Sequence, residues 1–236
     1  MDYPDFIVRD NQDICTLVSP EGVVYVPPTP FYKFKNKRAT LKAIKFKKEQ
    51  RLTLVKGNFF LMTEERDASK QTNTRASYIR RSVSEGHSFR ESGALEYFLD
   101  LLQRRPGVDR MYSEEDVHKR IDGLDAVVAY ARQYSTLALQ ADLNNDPSNT
   151  DDIWVHIGGD GRLITCWGGG HRLSIAQIMG LESIPVRIGL VHYDAYRDGI
   201  VENILARSRN FEKRLHERIQ CCALTTIQYP RKNLRR

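Results

Sequence analysis

The chain has few of the residues that build redox or metal centres. It contains four cysteines and six histidines among 236 residues. The cysteines form no CxxC pair, and the histidines form neither an HExxH nor an HxH pattern. Zinc sites and disulfide frameworks are built on such spacings. We therefore expect reduced thiols and no structural zinc. The cysteines are Cys15, Cys166, Cys221 and Cys222.

Long apolar runs are also missing, although hydrophobic residues make up 41% of the chain, which is enough for a packed core. No run approaches the length of about 18 apolar residues that a membrane-spanning helix needs. The N-terminal sequence, MDYPDFIVRDNQD, is acidic and polar and lacks the basic and apolar parts of a secretion signal. These absences predict a cytoplasmic protein without a membrane span.

Positive charge, in contrast, is concentrated in one segment. Residues 31–60 hold ten lysines and arginines against one acid, Glu49, so ten minus one gives a local charge of +9, while the whole chain carries +6. Such segments bind phosphates, nucleic acid or anionic surfaces. A solvated strand face is an equally good interpretation. Nucleic acid is therefore a candidate partner, but the charge of the segment does not decide between nucleic-acid binding and a solvated strand face.

Three regions follow from the patterns along the chain. Residues 1–70 contain short runs typical of strands and predict a β-rich, basic N-terminal region. Residues 71–112 place apolar residues at helical spacing and predict a helical connection. Residues 113–236 predict a core domain with C-terminal helices.

In the core region, predicted helices and strands alternate. YSEEDVHKRIDGLDAVVAYARQY predicts a helix that Ser113 caps. IWVHIGGDGRLITCW predicts two strands joined by a glycine-rich turn. GHRLSIAQIMG predicts a helix that ends at Gly180, and SIPVRIGLVH predicts another strand. This order predicts an α/β (α+β) fold.

The segment WGGGHR lies where a predicted strand runs into a predicted helix. Its glycines, Gly168, Gly169 and Gly170, permit unusual backbone angles and a close approach of another group. The free N–H groups and the dipole of a helix start favour an anion, and His171 and Arg172 add donors. Together these features predict a phosphate site. The alternative is a turn that connects packed elements, with Arg172 paired to an acid.

The stretch WGGGHRLSIAQIMGLESIPVRI resembles the signature of the ParB/sulfiredoxin superfamily. That signature is a glycine-rich turn, a variable residue, an arginine, a short helix, and Ile-Pro-Val in a strand. The preceding segments are similar as well, so the resemblance covers residues 113–210. It implies a small mixed sheet with packed helices that binds a nucleotide, ATP or CTP, together with magnesium. The phosphate contacts that it implies are Gly169, Gly170, His171 and Arg172, and Gly168 joins the predicted site as the first glycine of the turn.

The chain also departs from the patterns of that family. Gly170 stands where sulfiredoxins place their reactive cysteine, so sulfiredoxin activity is not expected. The 26 residues after Asn210 are too few for the DNA-reading domain of partition proteins. In VENILAR, Glu202 and Asn203 resemble the magnesium motif of partition proteins, although the arginine follows one residue too late. Polar positions on a surface helix are the alternative interpretation of this pair.

Two functions are compatible with these patterns. The first is NTP- and magnesium-dependent phosphotransfer or hydrolysis, as in a kinase or an NTPase, with the phosphates held at the turn. The sequence identifies no catalytic residue, and the candidate bases by proximity are Asp194, Asp198 and Glu202. The second function is a noncatalytic, nucleic-acid-associated or partition-like binding module, which the basic segment 31–60 favours.

Overall fold

A computed structural model of the chain describes residues 7–9, 23–34, 53–57, 59–144 and 152–224. Most of the basic segment 31–60 lies outside these ranges, since residues 35–52 and 58 are not among them. The prediction that this segment binds nucleic acid therefore stays a prediction. None of the described helices combines the length and the apolarity needed to cross a membrane.

The described residues form strands and helices in mixed order, which confirms the predicted α/β (α+β) class. The strands are β1 (Ile7–Arg9), β2 (Val23–Val26), β3 (Phe31–Phe34), β4 (Thr53–Lys56), β5 (Thr63–Arg66), β6 (Trp154–Ile157), β7 (Leu163–Trp167) and β8 (Ile184–His192). The helices are α1 (Thr74–Ser84), α2 (Ala94–Arg104), α3 (Glu114–Tyr134), α4 (Gln140–Asn144), α5 (Gly170–Met179), α6 (Tyr193–Arg197) and α7 (Ile200–Leu224). Short 3₁₀ turns cover Phe59–Met62, Ala68–Lys70 and Val108–Arg110.

One mixed sheet contains all these strands, in the order β1-β4-β8-β6-β7-β3-β5, and β2 pairs with β8 beside that path. The pairs β4·β8, β6·β8 and β3·β7 are parallel, and the other pairs are antiparallel. All nine residues of β8 are buried, as expected for a central strand with both faces covered. Strands of the predicted N-terminal region 1–70 thus share a sheet with those of the predicted core.

The helices follow from local signals that the sequence shows. Ser113 caps α3 by accepting a hydrogen bond from the Asp116 N–H, and the Asp116 carboxylate accepts one from the Ser113 N–H. Helix α5 ends at Gly180, whose φ of 64° suits a glycine. Residues at helical spacing bury the inner face of α3: Val117, Ile121, Leu124, Val127, Val128 and Ala131.

Helix α5 lies against α1 and α3, while α7 packs on β2. The buried amide of Gln177 links α5 to the N-terminal strands. Its Nε2 donates to the carbonyl oxygens of Pro28 (2.9 Å) and Arg66 (2.8 Å), and its Oε1 accepts from the N–H of Ala68 (2.8 Å). These bonds hold the end of β5 and the segment that follows it against α5.

The turn between β7 and α5 is packed too tightly for side chains at two of its three glycines. Gly168 and Gly169 have φ angles of 58° and 63°, which favour glycine. A Cβ on Gly168 would lie 2.9 Å from the Asp152 carbonyl oxygen, and one on Gly169 would lie 2.9 Å from the Cα of Ile153. The turn is therefore seated on the backbone that leads into β6.

We predict that Gly169→Ala destabilises the protein by about 2–5 kcal/mol, because it adds left-handed backbone strain and a clash with Ile153. Gly123→Ala is the matched control. Gly123 lies inside α3, and a Cβ there would meet no atom within 4 Å. Alanine at position 123 should raise the free energy of unfolding by about 0.5–1 kcal/mol. Urea unfolding of both variants measures the difference, and equal stabilities would contradict the packing described for the turn.

Candidate anion-binding site

The start of α5 presents backbone donors that the helix itself does not use. Gly169 is the N-cap residue and has no side chain with which to cap them. The first N–H bonded within the helix is that of Leu173, which donates to the Gly169 carbonyl (2.8 Å). The N–H groups of the first turn, in Gly170, His171 and Arg172, are therefore donors at the positive end of the helix dipole.

Arg172 points away from this turn and into the interior. Its side chain is only 5% exposed, and its Nη1 donates to Asp152 Oδ1 at 2.9 Å. Its Nη2 donates to the carbonyl oxygen of Ala138. The guanidinium that the sequence suggested as the phosphate fork is thus engaged in a buried ion pair, which is the alternative interpretation given for the turn.

Asp152 is the centre of that ion pair and is fully buried. Besides Arg172, it accepts from the Nε of Arg187 on β8 (2.8 Å) and from the N–H of Gln140 at the start of α4 (2.9 Å). Both carboxylate oxygens therefore have donors, as a buried charge requires. The network fixes α5 against β8 and so places the turn.

The ring of His171 is also buried, between the rings of Tyr78 and Phe98. Its Nε2 lies 2.6 Å from the Tyr78 hydroxyl, and its Nδ1 lies 3.2 Å from Nη2 of Arg120. An arginine can only donate, so Nδ1 is the acceptor and Nε2 carries the proton. Nε2 then donates to the Tyr78 oxygen. The imidazole therefore does not contact a ligand at the turn, although the backbone N–H of His171 remains there.

Positive charge surrounds this histidine. Burial lowers the pKa of His171 well below its usual value, and the nearby charges of Arg75, Arg120 and Arg66 lower it further. Burial likewise raises the pKa of Tyr78. Both groups are consequently neutral at physiological pH. The positive charge at the turn therefore comes from the three arginines.

These arginines come from three different elements. Arg66 ends β5, Arg75 lies in the first turn of α1, and Arg120 lies in the middle of α3. A Cβ built on Gly170 would lie 3.2 Å from Nη1 of Arg75 and 3.3 Å from Nη2 of Arg66. Two guanidinium tips therefore meet at Gly170, and Arg120 approaches the same turn through its bond to His171.

The positive charges at the turn are poorly balanced. Among the described residues, the carboxylate that reaches them is Asp109, whose Oδ2 lies 3.4 Å from Nη2 of Arg120. Burial and the neighbouring Arg75 lower the pKa of Arg66, as expected for a cation without an acidic partner. The acids that flank Arg66 contact lysines instead: Glu64 pairs with Lys33, and Glu65 and Asp67 pair with Lys70. Three arginines less one aspartate give a formal charge of +2.

Strand directions place the predicted bases at the other end of the sheet. Since β8 is parallel to β6, and β6 is antiparallel to β7, the end of β8 lies beside the start of β7. Asp194 and Asp198 follow the end of β8 directly, and both contact Arg197. The glycine turn follows the end of β7, and the five residues of that strand span roughly 13 Å.

Glu202 and Asn203 belong to that distant end as well. Ile200, which opens α7, lies against Gly161, two residues before β7. Asn203 is exposed, and Glu202 is half-buried, with no hydrogen-bond partner for its buried Oε2 in the described structure. Within the described ranges, no group of three or more His, Cys, Asp or Glu side chains could hold a metal ion. The residues predicted to bind magnesium are therefore not brought to the turn.

Sequence reasoning located the turn but missed its arginines. Arg66 lies in TEERDASKQTNT, whose polar composition predicts a loop, although Thr63–Arg66 form β5. Arg75 and Arg120 lie on separate predicted helices. No local pattern connects three residues so far apart in the chain. Comparisons with protein-family models, with curated proteins and with solved structures found no match for this chain. The geometry of the turn is therefore the main support for any function, and that geometry suits an oxyanion.

We predict that Arg172→Ala lowers the free energy of unfolding by about 3–5 kcal/mol, because it leaves the buried Asp152 carboxylate without one of its cations. Arg218→Ala is the control. Arg218 pairs with Glu182 at 3.5 Å on the surface, where such pairs contribute at most about 1 kcal/mol. Chemical denaturation measures both variants. A folded Arg172→Ala protein as stable as the parent would show that the buried pair does not hold the turn.

We predict that Asp109→Asn tightens the binding of an anion at the turn by up to about fivefold, because Asp109 shares Arg120 with the ligand. Asparagine tolerates the φ of 53° found at this position, so the backbone should not change. Asp100→Asn removes the same charge beside Arg104 and serves as the control. Calorimetric titration with inorganic diphosphate compares the variants. Weaker binding by Asp109→Asn would mean that Asp109 supports the site and does not compete for it.

Proposed function

We propose that the protein binds the phosphate group of a nucleotide at the start of α5. The observation that carries the proposal is the meeting of Arg66 and Arg75 at Gly170, with Arg120 beside them. Within the described part of the chain, no set of acids matches the charge of these side chains, and the backbone N–H groups of Gly170 and His171 add further donors. A phosphate is the ligand that such a set of donors suits best.

Arginines serve this purpose better than lysines would. Each guanidinium is planar, holds several donors in a fixed fork and loses less hydration than an ammonium group. Gly170 adds room for an oxygen atom, since it has no Cβ between the two arginine tips. The turn and the side chains therefore offer donors from several directions around a tetrahedral group.

The nucleotide in this proposal comes from the resemblance to the ParB/sulfiredoxin superfamily, which implies ATP or CTP. The same resemblance extends the proposal to phosphotransfer or hydrolysis of the terminal phosphate. Three guanidiniums at the turn can stabilise the charge on a phosphoryl group in transfer. Asp194, Asp198 and Glu202 lie too far from the turn to act as bases there, so the proposal assigns no base.

We propose that magnesium enters the site only when it is bound to the nucleotide phosphates. Glu202 and Asn203 do not fit a metal ion shared with a phosphate at the turn, because they lie at the other end of the sheet. Magnesium commonly keeps several waters and binds to phosphate oxygens with few protein ligands. A magnesium ion carried by the nucleotide would need no further ligand from these two residues.

We predict that one of ATP, CTP, GTP or ADP, tested with and without magnesium, raises the melting temperature, since a ligand of the folded state stabilises it. Arg75→Gln should lower the affinity for that nucleotide about ten- to a hundredfold, because it removes a charge-assisted phosphate contact. Arg218→Gln should bind like the parent, because Arg218 lies on α7 and pairs with Glu182, which follows the C-terminal end of α5. The same titrations assayed for released phosphate report turnover.

Two results would contradict the proposal. The first is that no nucleotide and no inorganic phosphate compound changes the melting temperature at millimolar concentration. The second is that Arg75→Gln, shown to be folded by circular dichroism, binds the best nucleotide as tightly as the parent does. In the second case a nucleotide binds elsewhere, and the arginines at the turn have another role.

A further inference from the structure

We propose that the three arginines recognise the terminal phosphate of a ligand, with its three free oxygens and its two negative charges, and discriminate against phosphodiesters. This inference rests on the proposed function and makes it more specific. It names Arg66, Arg75 and Arg120 as the residues that set the specificity. Its consequence is that the protein binds the phosphorylated end of a molecule and not the phosphate backbone of a nucleic acid.

The three arginines approach the turn from different directions. The arginines reach the turn from β5, from α1 and from α3, so their donors do not lie in one row. Arg66 and Arg75 meet at Gly170, and Arg120 is held on the side of His171 by its bond to Nδ1. A terminal phosphate presents three free oxygens in three directions. A phosphodiester has two, and its two ester links extend away from the phosphorus on the remaining sides.

The charge at the turn matches a terminal phosphate better than a phosphodiester. The turn carries a formal charge of +2 once Asp109 is counted against the three arginines. A terminal phosphate carries a charge of about −1.5 to −2 at neutral pH and matches the positive charge at the turn. A phosphodiester carries one negative charge and leaves part of that positive charge unbalanced. Arg66 is partly buried, so a charge left unmatched there costs more than it would in water.

The buried imidazole of His171 holds Arg120 in place. Arg120 donates to His171 Nδ1, so Nε2–H donates to the Tyr78 oxygen at 2.6 Å. This chain of bonds orients the imidazole with no free acceptor nitrogen. The imidazole does not itself contact the ligand, but it fixes the Arg120 guanidinium beside the turn as a donor to a deprotonated phosphate oxygen.

Two ligands that share one nucleoside test the preference for a terminal phosphate over a phosphodiester. Adenosine 5′-monophosphate has a terminal phosphate, and adenosine 3′,5′-cyclic monophosphate has a phosphodiester. We expect the full-length protein to bind the first about ten- to a hundredfold more tightly, which corresponds to one lost charge-assisted contact. Calorimetric titration measures both. A single-stranded oligonucleotide with a 5′-phosphate should likewise bind more tightly than the same strand with a 5′-hydroxyl.

Variants connect this discrimination to the arginines. Arg66→Gln, Arg75→Gln and Arg120→Gln should each narrow the difference between the two adenosine ligands, because each removes the donor for one oxygen. Arg66→Lys keeps the charge without the fork and should fall between Arg66→Gln and the parent. Arg218→Gln, whose side chain pairs with Glu182, should keep the full difference.

The possible results separate this inference from the proposed function. Equal affinities for the two adenosine ligands, or for the two oligonucleotides, would overturn the inference while leaving phosphate binding intact. A preference for the terminal phosphate that all three glutamine variants retain would overturn the assignment to these arginines. Failure of every phosphate compound to bind would remove the proposed function, and the inference with it.

Discussion

The buried carboxylate of Asp152 connects the elements on which the glycine turn depends. It accepts hydrogen bonds from Arg172 on α5, from Arg187 on β8 and from the backbone at the start of α4. The backbone at Asp152 and Ile153 is also the surface on which Gly168 and Gly169 are seated. A charge that cannot reach water keeps its partners close, so this network restricts where α5 can begin.

That restriction explains why the arginines divide into an inner and an outer group. Arg172 and Arg187 balance a buried acid and are part of the interior. Arg66, Arg75 and Arg120 repel one another at the turn, and Asp109 reaches only one of them. Elements held elsewhere keep this second group together, through the Gln177 amide and the packing of α1 and α3 on α5. Such uncompensated charge is typical of a site that a ligand completes.

The direction of the strands decides which residues can lie near the glycine turn. Because β7 runs antiparallel to β6, the groups that follow β7 and those that follow β8 lie at opposite ends of the sheet. The glycine turn is at one end. The acidic residues that sequence proximity suggested as bases and magnesium ligands are at the other. Nearness along the chain was a poor guide here, since a strand of five residues separates its two ends by roughly 13 Å.

The sequence by itself determined the elements whose signals are local: the cap at Ser113, the glycine that ends α5 at Gly180, the apolar spacing of α3 and the Ile-Pro-Val opening of β8. It also placed the turn at Gly168–Gly170 between a strand and a helix. Only the tertiary structure decided which arginines serve that turn. An arginine side chain is long enough to point inward or outward, and its direction depends on where an acid is buried. Asp152, twenty residues before Arg172, pairs with that side chain in the interior. Arg66 and Arg75 meet at Gly170, with Arg120 beside them at His171, because three separate elements pack around one helix.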